Sequence, residues 1–174
     1  MGIRYHQMAV RAGTHAQPAP GRGSLRTLVA GGRRRNRTGA LDAVLEHLED
    51  EGWLVLPGVE TDAGHIEHLA VGPAGVFTLE TCADHGRISV ETIDERSYAG
   101  PCARARVVAA AIGRPVTPVL VYSHAKLSRD VSRQRGVIVV MTKTLAGHLL
   151  RRRARVGDAE VHSLYHQLVG TLGG

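Results

Sequence analysis

Gly64-His65-Ile66-Glu67-His68-Leu69-Ala70-Val71-Gly72-Pro73-Ala74-Gly75-Val76-Phe77-Thr78-Leu79-Glu80-Thr81-Cys82 is the stretch that decides the fold. It reads as two short strands, about 65–71 and 76–82, joined by a tight Gly72-Pro73-Ala74-Gly75 turn. With Val71 opposite Val76, Glu67 is expected opposite Glu80 and His65 opposite Cys82. Side chains alternate along a strand, so this register projects all four from one face. Facing carboxylates cost stability unless a cation or a proton lies between them. The search for function therefore starts at this hairpin.

Outward from it, the pattern predicts a mixed α/β (α+β) domain. Leu41, Val44, Leu45 and Leu48 recur at helical spacing from Thr38 to a stop near Gly52. Trp53 to Leu56 reads as a first strand closed by Pro57-Gly58. After the hairpin, Asp84-His85-Gly86 is a turn signal, and Arg87 to Glu91 reads as a third hairpin-like strand. Pro101 is expected to open a helix through Ile112, ended by Gly113-Arg114-Pro115. Val116 to Tyr122 and Gly136 to Met141 are continuous apolar runs, the mark of buried central strands. Ala146 to Arg153 and Asp158 to Leu172 read as short helices. Helices and strands in this order pack as a mixed sheet with helices on its faces.

The formal net charge of +6 has a location. Residues 1–38 hold eight arginines and no Asp or Glu, so the other 136 residues carry 14 Lys+Arg against 16 Asp+Glu. The segment is rich in Gly, Ala and Pro, and it reads as a disordered basic arm able to attract nucleic acid. The domain is expected to run from 39 to 172. Arginine outnumbers lysine twenty to two, leaving only Lys126 and Lys143. No apolar run is long enough for a transmembrane span or a secretory leader, which points to a cytoplasmic protein without a membrane partner. Cys82 and Cys102 are too few for a disulfide framework. Aromatic residues make up 3% of the chain, which argues against recognising single strands by base stacking.

From Gly39 to Leu172, this order and hairpin resemble the nuclease-related domain family, within the restriction-endonuclease-like PD-(D/E)XK superfamily. The resemblance is carried by Ile66-Glu67-His68-Leu69-Ala70-Val71-Gly72-Pro73-Ala74-Gly75-Val76-Phe77. There the family has Ile-Asp-His, apolar residues, Gly-Pro, a small residue and Gly-Val-Phe. Pro118-Val119-Leu120-Val121-Tyr122 and Arg135-Gly136-Val137 are similar to its later strands. In active members an Asp on the first hairpin strand and an Asp/Glu-X-Lys on the second hold magnesium, and the lysine orients the attacking water. Carboxylates suit that hard cation, which suits a phosphodiester. Carried over, Glu67 takes the first acid position, Glu80 the second and Cys82 the lysine position.

Two departures weaken the implied chemistry. Glu67 moves its carboxylate about one methylene outward relative to Asp, which matters where position governs rate. Cys82 has no permanent positive charge where lysine would supply one. Lys126 is the candidate substitute cation, with Arg87 and Lys143 behind it. The resemblance thus implies nucleic-acid binding, or metal-dependent phosphodiester hydrolysis at a degenerate site needing Mg2+ or Mn2+. The alternative is a non-catalytic interaction module that keeps the nuclease fold.

Other groupings compete with that reading. His65 and Cys82, with His68, Asp84 and His85 nearby, suggest Zn2+ through imidazole and thiolate. No Cys-X-X-Cys or His-X-X-X-His spacing supports zinc, and His68 is expected on the opposite face. A Cys82–His65 nucleophile and base is disfavoured by the adjacent carboxylates, which raise a thiol pKa. Cys102 reads as an ordinary helix-start residue. Arg151, Arg152, Arg153 and Arg155 fit either phosphate contacts or a solvated helix end.

Overall fold

Apolar periodicity sets the order of elements. In the computed structural model, which describes residues 25–27 and 39–172, these are β1 (Leu25–Thr27), α1 (Ala40–Asp50), β2 (Leu54–Thr61), β3 (Gly64–Gly72), β4 (Gly75–Cys82), β5 (Gly86–Ile88), α2 (Arg96–Ile112), β6 (Val116–Tyr122), β7 (Ala125–Leu127), β8 (Val131–Gln134), β9 (Val137–Met141), α3 (Thr142–Leu150) and α4 (Asp158–Leu172). The fold is mixed α/β. Seven strands form one sheet in the order β1-β2-β3-β4-β6-β9-β8, and β5 pairs with β7 in a separate two-stranded ladder.

The β2-β3-β4 meander is antiparallel, whereas β6 runs parallel to β4 and β9 parallel to β6. The α2 helix supplies the crossover that parallel pairing requires. Val119, Val121, Ile138 and Val140 pack under α1 and α3 with Trp53 and Phe77. Val108 and Ile112 of α2 and Val161, Leu164 and Leu168 of α4 cover Val71 and Val76 on the other face. Burial on both faces explains why β9, and β6 from Pro118 onward, are apolar.

Several boundaries differ from the sequence expectation, each for a physical reason. The first strand continues through Pro57-Gly58 to Thr61. Pro57 lies before the stretch that β1 covers (Val59 to Thr61), so its missing N–H faces no neighbouring strand on that side. The expected third strand at 87–91 reduces to β5, followed by a 3₁₀ turn at Val90–Thr92. It pairs parallel with β7 and forms no hairpin. Pro101 lies inside α2 and does not open it. Asp94 starts the helix earlier, its carboxylate accepting from Arg96 N at 2.9 Å and its carbonyl from Ser97 N at 3.0 Å. The Ala146–Arg153 helix begins at Thr142, because Thr142, Leu145 and Leu149 form its buried stripe.

The expected disordered arm, 1–38, falls outside the described residues except for Leu25–Thr27. Those three are not disordered: they form β1, antiparallel to Val59–Thr61. Among the described residues, no helix is long and apolar enough to cross a membrane.

Candidate functional site

The hairpin keeps its expected register near the turn and loses it before the acids. Val71 pairs with Val76, and the ladder continues to His68↔Leu79, where it stops. Neither Glu67↔Glu80 nor His65↔Cys82 is among its partners. The cause is a broken alternation in two neighbouring strands. Ile66 and Leu69 enter the same buried cluster, as do Leu56 and Val59, although each pair is three residues apart. Period-two alternation forbids that in a regular strand. The breaks meet at Pro57-Gly58, with Gly58 at φ 63°, and at Glu67-His68.

Past the break, Glu67 turns its carboxylate onto the backbone and side chain of β4. It accepts from Thr81 N at 3.0 Å and from Thr81 Oγ1 at 2.7 and 2.9 Å. Glu80 meets a different partner. The guanidinium of Arg104, on α2, donates through Nε to Glu80 Oε1 at 2.8 Å and through Nη2 to Oε2. Both side chains are largely buried, 19% exposed for Arg104 and 11% for Glu80. The hydrogen bond to Glu80 raises the Arg104 pKa, and the charges of Glu80 and Glu67 add to it. Arg104 therefore supplies the positive charge that the two acids require.

Gly100 makes room for it, and Gly64 lies at ordinary contact distance. A Cβ at Gly100, one helical turn before Arg104, would stand 3.1 Å from Nη2, and one at Gly64 would stand 3.5 Å from Nη1. Arg104 was not among the residues singled out from sequence. The available signal was Gly100, since glycine inside a helix costs about 1 kcal/mol relative to alanine and invites a packing reason.

Cys82 pairs with Tyr122 of β6. Burial raises its thiol pKa, partly offset by a hydrogen bond with the Tyr122 hydroxyl, and the charges of Asp84, Glu80 and Glu67 raise it further. Burial also raises Tyr122, and it raises Tyr98, whose hydroxyl is buried without a hydrogen-bond partner among the described residues. A protonated thiol in this setting is neither a cation nor a ready nucleophile. His65 is paired with Glu60 of β2, and its Nδ1 lies 2.7 Å from Glu60 Oε1. The pairing that would join it to Cys82 is not formed.

No protein-family model matches this chain, and no curated protein matches it. The metal question therefore rests on the donors themselves. A hard divalent cation needs several free oxygens. Arg104 donates to both oxygens of Glu80 and places its positive charge where a metal ion would sit, while Glu67 accepts from Thr81. Among the described residues, no three His, Cys, Asp or Glu side chains group as metal ligands. The residues present do not fit magnesium, manganese or zinc at this hairpin while Arg104 holds Glu80.

The other sequence candidates are dispersed. Lys126, on β7, pairs with Arg87 of β5, and both line a cleft with Lys143. Neither lysine has an ion pair or hydrogen bond to Glu67 or Glu80. His85 stacks on His124 with ring centroids 5.1 Å apart. Cys102 Sγ lies 3.8 Å from the Arg135 carbonyl.

The arginine run follows α3 and is anchored to the hairpin turn, where Pro73 O accepts from Arg155 N at 2.7 Å and Val156 N at 3.0 Å. Arg152 lies over the Phe77 ring, 5.6 Å from its centroid. Burial, then the charges of Arg155 and Arg133, lowers the Arg152 pKa. Arg133, Arg151, Arg153 and Arg155 are exposed.

Proposed function

We propose that this chain is a nucleic-acid-binding module of the nuclease-related type that does not hydrolyse phosphodiesters. The observation carrying the reading is the paired contact of Arg104 with Glu80, which commits the second acid to an ion pair. Phosphate contact then falls to the exposed arginines after α3, together with the eight arginines of residues 1–38. Arginine suits that task, since its planar guanidinium binds phosphate oxygens in pairs and stays charged.

The test combines cleavage with binding. Supercoiled plasmid incubated with Mg2+ or Mn2+ should remain intact, and duplex DNA should bind with an affinity that falls steeply with salt. Replacing Arg151, Arg153 and Arg155 together by Ala should weaken that binding. Metal-dependent nicking that Glu80→Ala abolishes would overturn the reading. A non-catalytic protein-interaction module is the second reading, favoured by the excess of acids over bases, 16 against 14, in the 136 residues after the arm. DNA affinity that does not respond to salt or to the arginine substitutions would select it.

A further inference from the structure

A cleft of about 720 Å³ opens outside the carboxyl ends of β6 and β9, where Tyr122 and Met141 are paired. Crevices in that position are where open α/β sheets bind ligands. Both lysines of the chain, Lys126 and Lys143, line this cleft, and so does Arg87. No Asp or Glu lines it, and none of the three cations has an ion pair among the described residues.

These cations are exposed, and their grouping favours an anion beside them. Arg87 and Lys126 are direct partners in the β5–β7 ladder. Like charges facing one another across a ladder destabilise it unless something of opposite sign intervenes. The third cation, Lys143, is the second residue of α3, whose first turn has no side-chain cap. Its first backbone N–H groups therefore add to the same positive field. The apolar part of the lining comes from Ala40 and Val44 of α1 and from Met141. A volume of about 720 Å³ far exceeds a bare ion and lies in the usual range for small-molecule sites.

We propose that this cleft binds a small phosphomonoester, its phosphate held by Arg87, Lys126 and Lys143 and its organic part lying against Ala40, Val44 and Met141. The site is independent of the nucleic-acid reading. It opens at the start of α3, whereas the exposed arginines follow the end of that helix, about 13 Å away along its axis.

Calorimetric titration of the full chain in chloride buffer tests it, with a nucleoside monophosphate, the unphosphorylated nucleoside and inorganic phosphate as separate probes. The monophosphate should bind saturably, more tightly than inorganic phosphate, and the nucleoside should not bind. Lys126→Gln and Lys143→Gln should each weaken the monophosphate roughly tenfold or more, the loss of one charge-assisted contact. The Arg153→Ala and Arg155→Ala variant should bind it unchanged while losing DNA affinity. Absence of saturable binding overturns the proposal. So does inorganic phosphate binding as tightly as the monophosphate, or undiminished affinity in both lysine variants with an unaltered melting temperature. Absence of DNA binding by the unsubstituted protein, with monophosphate binding present, leaves the cleft standing and counts only against the nucleic-acid reading.

Discussion

Arg104 of α2 holds both carboxylate oxygens of Glu80 on β4, 24 residues earlier in the chain. The acid that a nuclease would turn toward a metal is here half of an interior ion pair. Breaking such a pair from one side leaves an uncompensated charge, which costs more than the pair contributes when both partners are present. With 11–19% of the side chains still exposed, Arg104→Met or Glu80→Met alone should destabilise by about 3 kcal/mol. The double substitution should cost less than either single one. Urea unfolding of the four proteins gives the coupling directly; additive losses would show that the two side chains act separately.

The same contact predicts how a metal site would be made. Arg104→Ala frees the oxygens of Glu80 while Glu67 stays nearby, so the variant should bind Mn2+ with a dissociation constant in about the millimolar range expected of two carboxylates without further ligands. The parent protein should show no specific Mn2+ signal by electron paramagnetic resonance. Cys82→Lys alone should not create cleavage, because Glu80 remains engaged by Arg104. A parent protein that holds one Mn2+, lost in Glu80→Gln, contradicts both statements.

The part of the fold legible in sequence is the part fixed by short-range pattern. The hairpin turn, the register from Val71↔Val76 to His68↔Leu79, and strands β6 and β9 all follow from apolar runs and turn residues. What was not legible depends on neighbours distant in the chain. The broken alternation at Glu67 requires a matching break at Gly58 on the adjacent strand. Arg104 reaches Glu80 only after α2 docks on the sheet. Pro57 could stay in β2 because β1 covers only Val59 to Thr61, a pairing that no local rule supplies. The three-residue strands β5 and β7 are too short for periodicity to register.

Gly72 was read as turn chemistry, and the structure adds a stricter demand. Its φ is not in the left-handed region, but a Cβ there would stand 2.1 Å from Cδ2 of Trp53. The indole is 2% exposed and lies against Phe77 with centroids 5.7 Å apart, so it has little room to move. Gly72→Ala should therefore destabilise by about 3 kcal/mol, the upper range for overpacking. Chemical denaturation measures this, and near-UV circular dichroism should show a displaced tryptophan. The double variant Gly72→Ala/Trp53→Leu should recover part of the loss if the clash is the cause.

His148 gives the domain a pH-dependent weakness with a definite sign. Its Nε2 lies 3.4 Å from Nη1 of Arg152, which can donate only to an unprotonated ring nitrogen. Burial lowers its pKa below the ordinary value of 6.5, and the charges of Arg152 and Arg151 lower it further. The unfolded chain therefore takes up a proton at a higher pH than the folded one. Where the unfolded state binds more protons, stability rises with pH. The contribution is complete above about pH 7 and is lost as pH falls below the unfolded value toward the depressed folded one. His148→Gln keeps a polar side chain but cannot titrate. Its melting temperature should fall less than that of the parent between pH 7.5 and pH 5.5 (roughly one unit either side of the free imidazole value). An equal fall in the two proteins would place the acid sensitivity in other groups.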